Sequence, residues 1–248
     1  MNPAPPATPP VAPAPSRFLT IPTVKPRLTY VFLWLNIIIF ILQSITGADI
    51  WFYYGAKVNQ AIVVGEWWRL ITPMFLHSGL AHIAFNSYAL YAFGRQVETV
   101  FGHRRFFIIY MVSGVAGSAF SFALSPNPAV GASGAIFGLL GALLIYLYRH
   151  RHVFGEWGRR QLMEILIIAG LNLLIGLAPG IDDWGHVGGL VGGSMLAWLV
   201  GPIYVASFEP PEPHVVDRNP LGLQQWLAVL AVALALGALT LVNINLQR

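Results

Sequence analysis

Long apolar stretches dominate this chain, and its polar residues gather in short gaps between them. About 20 apolar residues cross a bilayer. Stretches of that order fall at roughly 28–46, 80–98, 104–124, 133–149, 161–178, 184–204 and 221–243. The pattern predicts an all-α polytopic membrane protein in which seven helices span the bilayer. Two segments stand apart. Residues 2–15 (NPAPPATPPVAPAP) are Pro/Ala low complexity that builds no core, so 1–26 is expected to be a disordered tail. Residues 47–79 are rich in Trp and Tyr without a clean spanning stretch, and read as a structured loop in the membrane interface.

Positive charges orient the predicted spans. Arg17, Lys25 and Arg27 precede the first; His103, Arg104 and Arg105 follow the second. Arg149, His150, Arg151, Arg159 and Arg160 surround the link between the fourth and fifth. If the spans alternate, all three clusters fall on one side, and basic loops mark the cytoplasm. The other side receives SPNP (125–128), DDW (182–184) and the 47–79 loop. The N-terminus is thus expected inside and the C-terminus outside. The remaining histidines of the inner side, His103, His150, His152 and His214, read as topology or solvation residues.

Composition narrows the classes further. The chain is 248 residues, 56% hydrophobic and only 10% charged, whereas soluble domains are about 25% charged. It holds no cysteine, which removes disulfides and thiolate metal sites. Its net charge of +4 comes from residues beside apolar runs, which suits topology control rather than nucleic-acid binding. No cofactor is implied. The first apolar run is long enough to span, so no cleavable signal is expected.

Polar groups inside a membrane are costly and mark function by default. The second span places His77 and His82 near its outer end, with Asn86 four residues after His82 on the same helix face. The fourth span opens from the outside with VGASGAIFG, which puts Ser133 at its start. The sixth opens from the same side with WGHVGGLVGG and puts His186 at its entrance. Three separate segments therefore deliver polar side chains to similar depth. Small residues supply proximity: Gly134, Gly138 and Ala142 recur every four residues in one span, and Gly185, Gly189, Gly193 and Ala197 in the other. Such stripes let helices approach backbone to backbone. If they face each other, the Ser133 hydroxyl and the His186 imidazole come within about 2.6–3.2 Å. Phe137, one turn after Ser133, then packs on the imidazole. Either stripe alone would signify packing, and His77 alone a structural hydrogen bond. A transporter would need midplane ionisable groups in repeated halves, and a His77/His82/His186 metal site lacks an intramembrane carboxylate.

The residues resemble the rhomboid intramembrane serine proteases over about 28–204, through GEWWRLITPMFLHSGLAHIAFN (65–86), GASGAIFG (131–138) and GHVGGLVGG (185–193). The resemblance implies a six-helix rhomboid-like bundle (27–204), here followed by a polar Pro-rich linker (205–220) and a seventh, C-terminal transmembrane helix (221–243). It implies Ser133 as nucleophile and His186 as general base in a dyad, with His82, Asn86 and the Ser133 amide stabilising the oxyanion. Phe137, Gly131, Gly185 and Gly189 would support that site. Arg69 and Glu98 match a pair that braces the interfacial loop against the second span. Asp182 and Asp183, close before His186, read as acids serving the first turn of the sixth helix rather than as a third catalytic member. The expected partners are transmembrane segments of other membrane proteins and the lipid bilayer, with the loop and fifth span as gate. The expected location is a bacterial plasma membrane with the site toward the outer face. A non-catalytic relative that only binds membrane segments would typically lack the serine or the histidine.

Overall fold

A computed structural model describes residues 19–176, 181–209 and 212–248. The Pro/Ala-rich stretch 2–15 and the end of the expected fifth span lie outside the described residues. What is described is a helical membrane bundle. α1 (Leu28–Thr46) is followed by the short helices α2 (Ala48–Gly55) and α3 (Asn59–Val63) and two 3₁₀ turns, Trp67–Leu70 and Thr72–Phe75. α4 (Leu80–Ala89) runs through a π turn, Leu90–Gly94, into α5 (Arg95–Leu124). This run breaks once, at Gly102, whose φ of +80° only glycine adopts readily. The break falls between the two stretches predicted as separate spans.

α6 (Ser133–Arg149) is the centre. Every residue from Ala135 to Leu143 is buried, so the helix is apolar all round because protein surrounds it on all sides. α5 and α8 (Asp183–Val200) flank it, and α7 (Arg151–Gly176) completes the enclosure, broken at Gly155 where φ is +50°. The outer helices have the opposite pattern. On α1, Trp34, Ile38, Ile41 and Ile45 face outward, which in this setting means toward lipid. α1, the Leu80–Leu124 run and α9 (Leu223–Gln247) are long and apolar enough to cross a membrane.

Two readings of the basic end need correction. His150 is buried, not a solvated topology residue: its Nδ1–H donates to Tyr146 O (2.9 Å) and its Nε2 accepts from Tyr204 N–H (3.1 Å). That arrangement requires a neutral ring, and burial lowers its pKa. The segment read as a linker is also structured in part. β1 (Tyr204–Ser207) pairs antiparallel with β2 (His214–Asp217), Val205 opposite Val216. Arg105 ties this hairpin to the bundle, donating to Asp217 (2.7 Å), Val200 O (2.7 Å) and Asn219 O. α9 then runs back along α5, and Gln247 donates to Phe122 O at its far end (3.1 Å).

Candidate active site

The two glycine stripes face each other. A Cβ added at Gly189 would lie 1.9 Å from Gly134 O, and one at Gly193 2.1 Å from Gly138 O. Only glycine permits this approach, so α6 and α8 meet backbone to backbone. α5 joins at the same level, where a Cβ on Gly117 would lie 2.7 Å from Gly185 O. The first turns of α6 and α8 thereby sit side by side.

Ser133 and His186 occupy those turns. His186 Nε2 lies 2.9 Å from Ser133 Oγ. Phe137 stacks on the imidazole, with centroids 4.4 Å apart and planes 8° from parallel, and fixes the ring plane. With Nε2 accepting from the hydroxyl, the neutral ring carries its proton on Nδ1, which has no hydrogen-bond partner among the described residues. The nearest carboxylate oxygen, Asp183 Oδ1, is 3.9 Å away, too far for a hydrogen bond. Asp182 instead accepts the His186 amide at its carbonyl (3.3 Å), as part of the first helical turn. Neutralising both acids by Asp182→Asn and Asp183→Asn should therefore lower any Ser133-dependent turnover less than tenfold. A loss matching that of Ser133→Ala, measured on the same substrate, would make one of them a catalytic partner.

Donors converge on the turn before Ser133. Gly131 holds φ at +133°. A Cβ there would lie 2.6 Å from His82 Nε2 and 3.6 Å from Asn86 Nδ2, so α4 aims both side chains at this point. Asn86 Nδ2 is buried and has no partner among the described residues. The amides at the start of α6, including that of Ser133, have no acceptor within their own helix. Together these form a concentration of unspent donors at a helix N-terminus, the place where negative charge is best accommodated. His77 is buried against His82 with rings 5.1 Å apart, and its backbone is bonded to the Gln43 amide group on α1.

Two contributors escaped the sequence reading. Ser78 brings its hydroxyl to 3.0 Å and its amide N–H to 3.4 Å from His82 Nδ1. An amide can only donate, so Nδ1 accepts and the neutral ring carries its proton on Nε2, facing Gly131. Ser78 is thus a positioning residue, and its spacing of four from His82 was the available signal. Lys57 is fully buried, and its ammonium donates to Asn59 Oδ1 (3.0 Å), Ser125 O (3.0 Å) and Asn127 O (2.7 Å). Burial pushes its pKa down to about 8. Backbone pairing of Lys57 with Ala129 completes the clamp, which ties the 47–79 loop to the segment entering α6. A cavity of about 40 Å³ lies behind Ser133, lined by Lys57, Ser118, Gly131, Asp182 and Gly185. One water needs about 10–15 Å³, so water fits beside the hydroxyl.

The profile of the Rhomboid domain family matches residues 64–203, which include every one of these residues except Gln43, Lys57 and Asn59. The chain belongs to the rhomboid family. It is 42% identical over 220 residues, 87% of its length, to the rhomboid protease GluP of Bacillus subtilis, covering 40% of that protein. It is 40% identical over 148 residues to the mitochondrial RHOMBOID-like protein 6 of Arabidopsis thaliana, covering 48% of it. It is 36% identical over 143 residues to the putative rhomboid protease YdcA of Bacillus subtilis, covering 71% of it. The chain thus spans less than half the length of the first two of these relatives.

One expectation for a rhomboid fails here. Arg69 and Glu98 do not meet. Glu98 accepts from the amides of Arg27 (2.9 Å), Leu28 (2.7 Å) and Thr29 (2.7 Å) and from the Thr29 hydroxyl (2.6 Å), and also pairs with His103 (2.6 Å). It caps the N-terminus of α1, whose first amides need acceptors. Arg69 lies beyond the other end of α1, a helix of 19 residues, or about 28 Å. There it binds Glu66 (2.5 Å) and the carbonyls of Tyr53 (2.5 Å) and Ala56 (2.8 Å), which close α2. Each charge satisfies a different helix terminus, and the bundle separates them.

Proposed function

We propose that this rhomboid is an intramembrane serine endopeptidase that cleaves transmembrane segments of other membrane proteins. What carries this reading is the 2.9 Å contact between an otherwise weak nucleophile, Ser133, and an imidazole stacked in place by Phe137. As Ser133 Oγ attacks a peptide carbonyl, His186 Nε2 takes the hydroxyl proton and then gives it to the leaving amine. In the second half water attacks the acyl carbonyl and loses a proton to His186, the bond to Ser133 Oγ breaks to release the acid, and His186 returns the proton to Oγ, which restores the serine. The negative oxygen formed in each step needs preorganised donors. His82 Nε2–H, Asn86 Nδ2 and the Ser133 amide are the candidates, aimed at the Gly131 turn and worth about 10²–10³ in rate apiece.

The dyad opens from the end of the bundle opposite the arginine-rich loops. Under the positive-inside rule that end is external, which gives a cytoplasmic N-terminus in a bacterial plasma membrane. In this reading residues 27–204 form the catalytic bundle and α9 is an added spanning helix. A stable substrate helix hides its carbonyls, so segments with Gly, Pro or polar residues near the outer interface should be preferred. The test is to reconstitute the protein in vesicles with a generic single-span substrate and map the products by mass. Cuts near the outer boundary of the substrate's apolar stretch are expected with wild type. Cuts confined to its cytoplasmic end, or equal products from Ser133→Ala, would overturn the proposal.

A further inference from the structure

At the opposite end of the bundle lies a second, larger cavity, of about 590 Å³. Its lining comes from the segment before α1 (Ile21, Thr23 and Pro26), the Leu90–Gly94 turn, the start of α5, the last turns of α6 and the start of α7. Tyr146 on its wall is 13 residues along α6 from Ser133, about 20 Å. The cavity therefore takes no part in the serine site.

Its chemistry is divided. Val100, Leu143, Leu147 and Phe154 make an apolar wall, while Arg95 supplies a cation. The Arg95 guanidinium rests on the Tyr91 ring, 4.6 Å from its centroid. Its Nε is buried with no acceptor among the described residues, so the terminal Nη1 and Nη2 groups are the donors open to a ligand. Three other arginines at this end are committed, Arg105 to Asp217, Arg149 to Trp198 O and Arg151 to Tyr148 O, while Arg104 and Arg160 are exposed and do not line the cavity. Arg95 is the guanidinium that lines the cavity and still offers its donors. A guanidinium fork suits a phosphate, which accepts two parallel N–H bonds. A lone phosphate would leave the apolar wall empty, since cavities of about 300–1,000 Å³ suit a ligand of drug size.

The geometry points to a binding site for an anionic glycerophospholipid, with the phosphate on Arg95 and the upper acyl chain along Leu143, Leu147 and Phe154. The basic end of the chain faces the leaflet in which such lipids attract arginines. The exposed Trp157 stands at the rim, at the headgroup level where indoles settle. This site is independent of the protease proposal, because its occupancy is read without any substrate.

The test uses the full chain in nanodiscs of mixed phosphatidylcholine and phosphatidylglycerol, transferred to non-ionic detergent and weighed by native mass spectrometry. Wild type should retain phosphatidylglycerol in preference to phosphatidylcholine. Arg95→Gln should lower that retention about tenfold, the size of one charge-assisted contact. Arg95→Lys should keep most of it, and Arg104→Gln, an exposed charge outside the cavity, should keep all of it. Circular dichroism melts establish that each variant is folded. Equal retention by wild type and Arg95→Gln, equal loss in Arg104→Gln, or no preference over phosphatidylcholine would each overturn the site. Displacement of the retained lipid by inorganic phosphate would make it a free-anion site instead and overturn the lipid assignment.

Discussion

Ser133→Ala is expected to lower cleavage of a single-span substrate by roughly 10⁶, the order of loss when a serine nucleophile is removed. His186→Ala should cost about as much. The reason is that hydroxyl and imidazole work as one unit across a 2.9 Å contact: without the base the hydroxyl keeps its proton, and without the hydroxyl the base has nothing to activate. The double substitution should therefore be no worse than either single one, a non-additivity that independent structural defects would not produce. Rates from purified variants in vesicles, compared with their thermal melts, separate the two cases. Additive losses that track melting temperature would point to lost packing rather than to chemistry.

Gly189→Ala is expected to lower the rate about 10²-fold or more and to lower the melting temperature with it. The new Cβ would lie 1.9 Å from Gly134 O, where ordinary contact begins at 3.4 Å, so α6 and α8 must part by about 1.5 Å (3.4 − 1.9). Gly134 follows Ser133 directly, and His186 lies three residues before Gly189, so the separation falls on the reacting pair. A misplacement of about 1 Å can cost that much by itself. Gly237→Ala on α9 is the control, since nothing lies within 4 Å of its added Cβ. It should melt no lower than wild type. Unchanged activity in Gly189→Ala would mean that the backbone approach is not what brings hydroxyl and imidazole together.

These contacts were legible in the sequence wherever a local period encodes a face. The four-residue recurrence of Gly134 and Gly138, set against Gly185, Gly189 and Gly193, announced a close crossing, and the Phe137 stack follows from a spacing of four after Ser133. His82 and Asn86 share a face for the same reason. What stayed hidden depends on contacts between distant segments. Arg69 and Glu98 were joined by family pattern, yet their depths are set by α1, whose bare N-terminus takes the Glu98 carboxylate. Lys57 reads as an ordinary loop cation, because the acceptors that bury it belong to Ser125 and Asn127. The hairpin at 204–217 is held by Arg105, 112 residues before Asp217, and composition alone makes that stretch a linker. His150 stands among arginines in sequence, and is enclosed by Tyr146, Phe154 and the Tyr204 that the same hairpin brings to it.

The activated serine can be read directly by covalent capture. A fluorophosphonate probe is applied to the folded protein in detergent, and the adduct is located by peptide mass mapping. Labelling is expected on Ser133 in wild type and in Asp182→Asn/Asp183→Asn, and is expected to be lost in His186→Ala. Labelling of Ser133 that persists without His186, or an adduct on another serine, would contradict a dyad assembled by the crossing of α6 and α8.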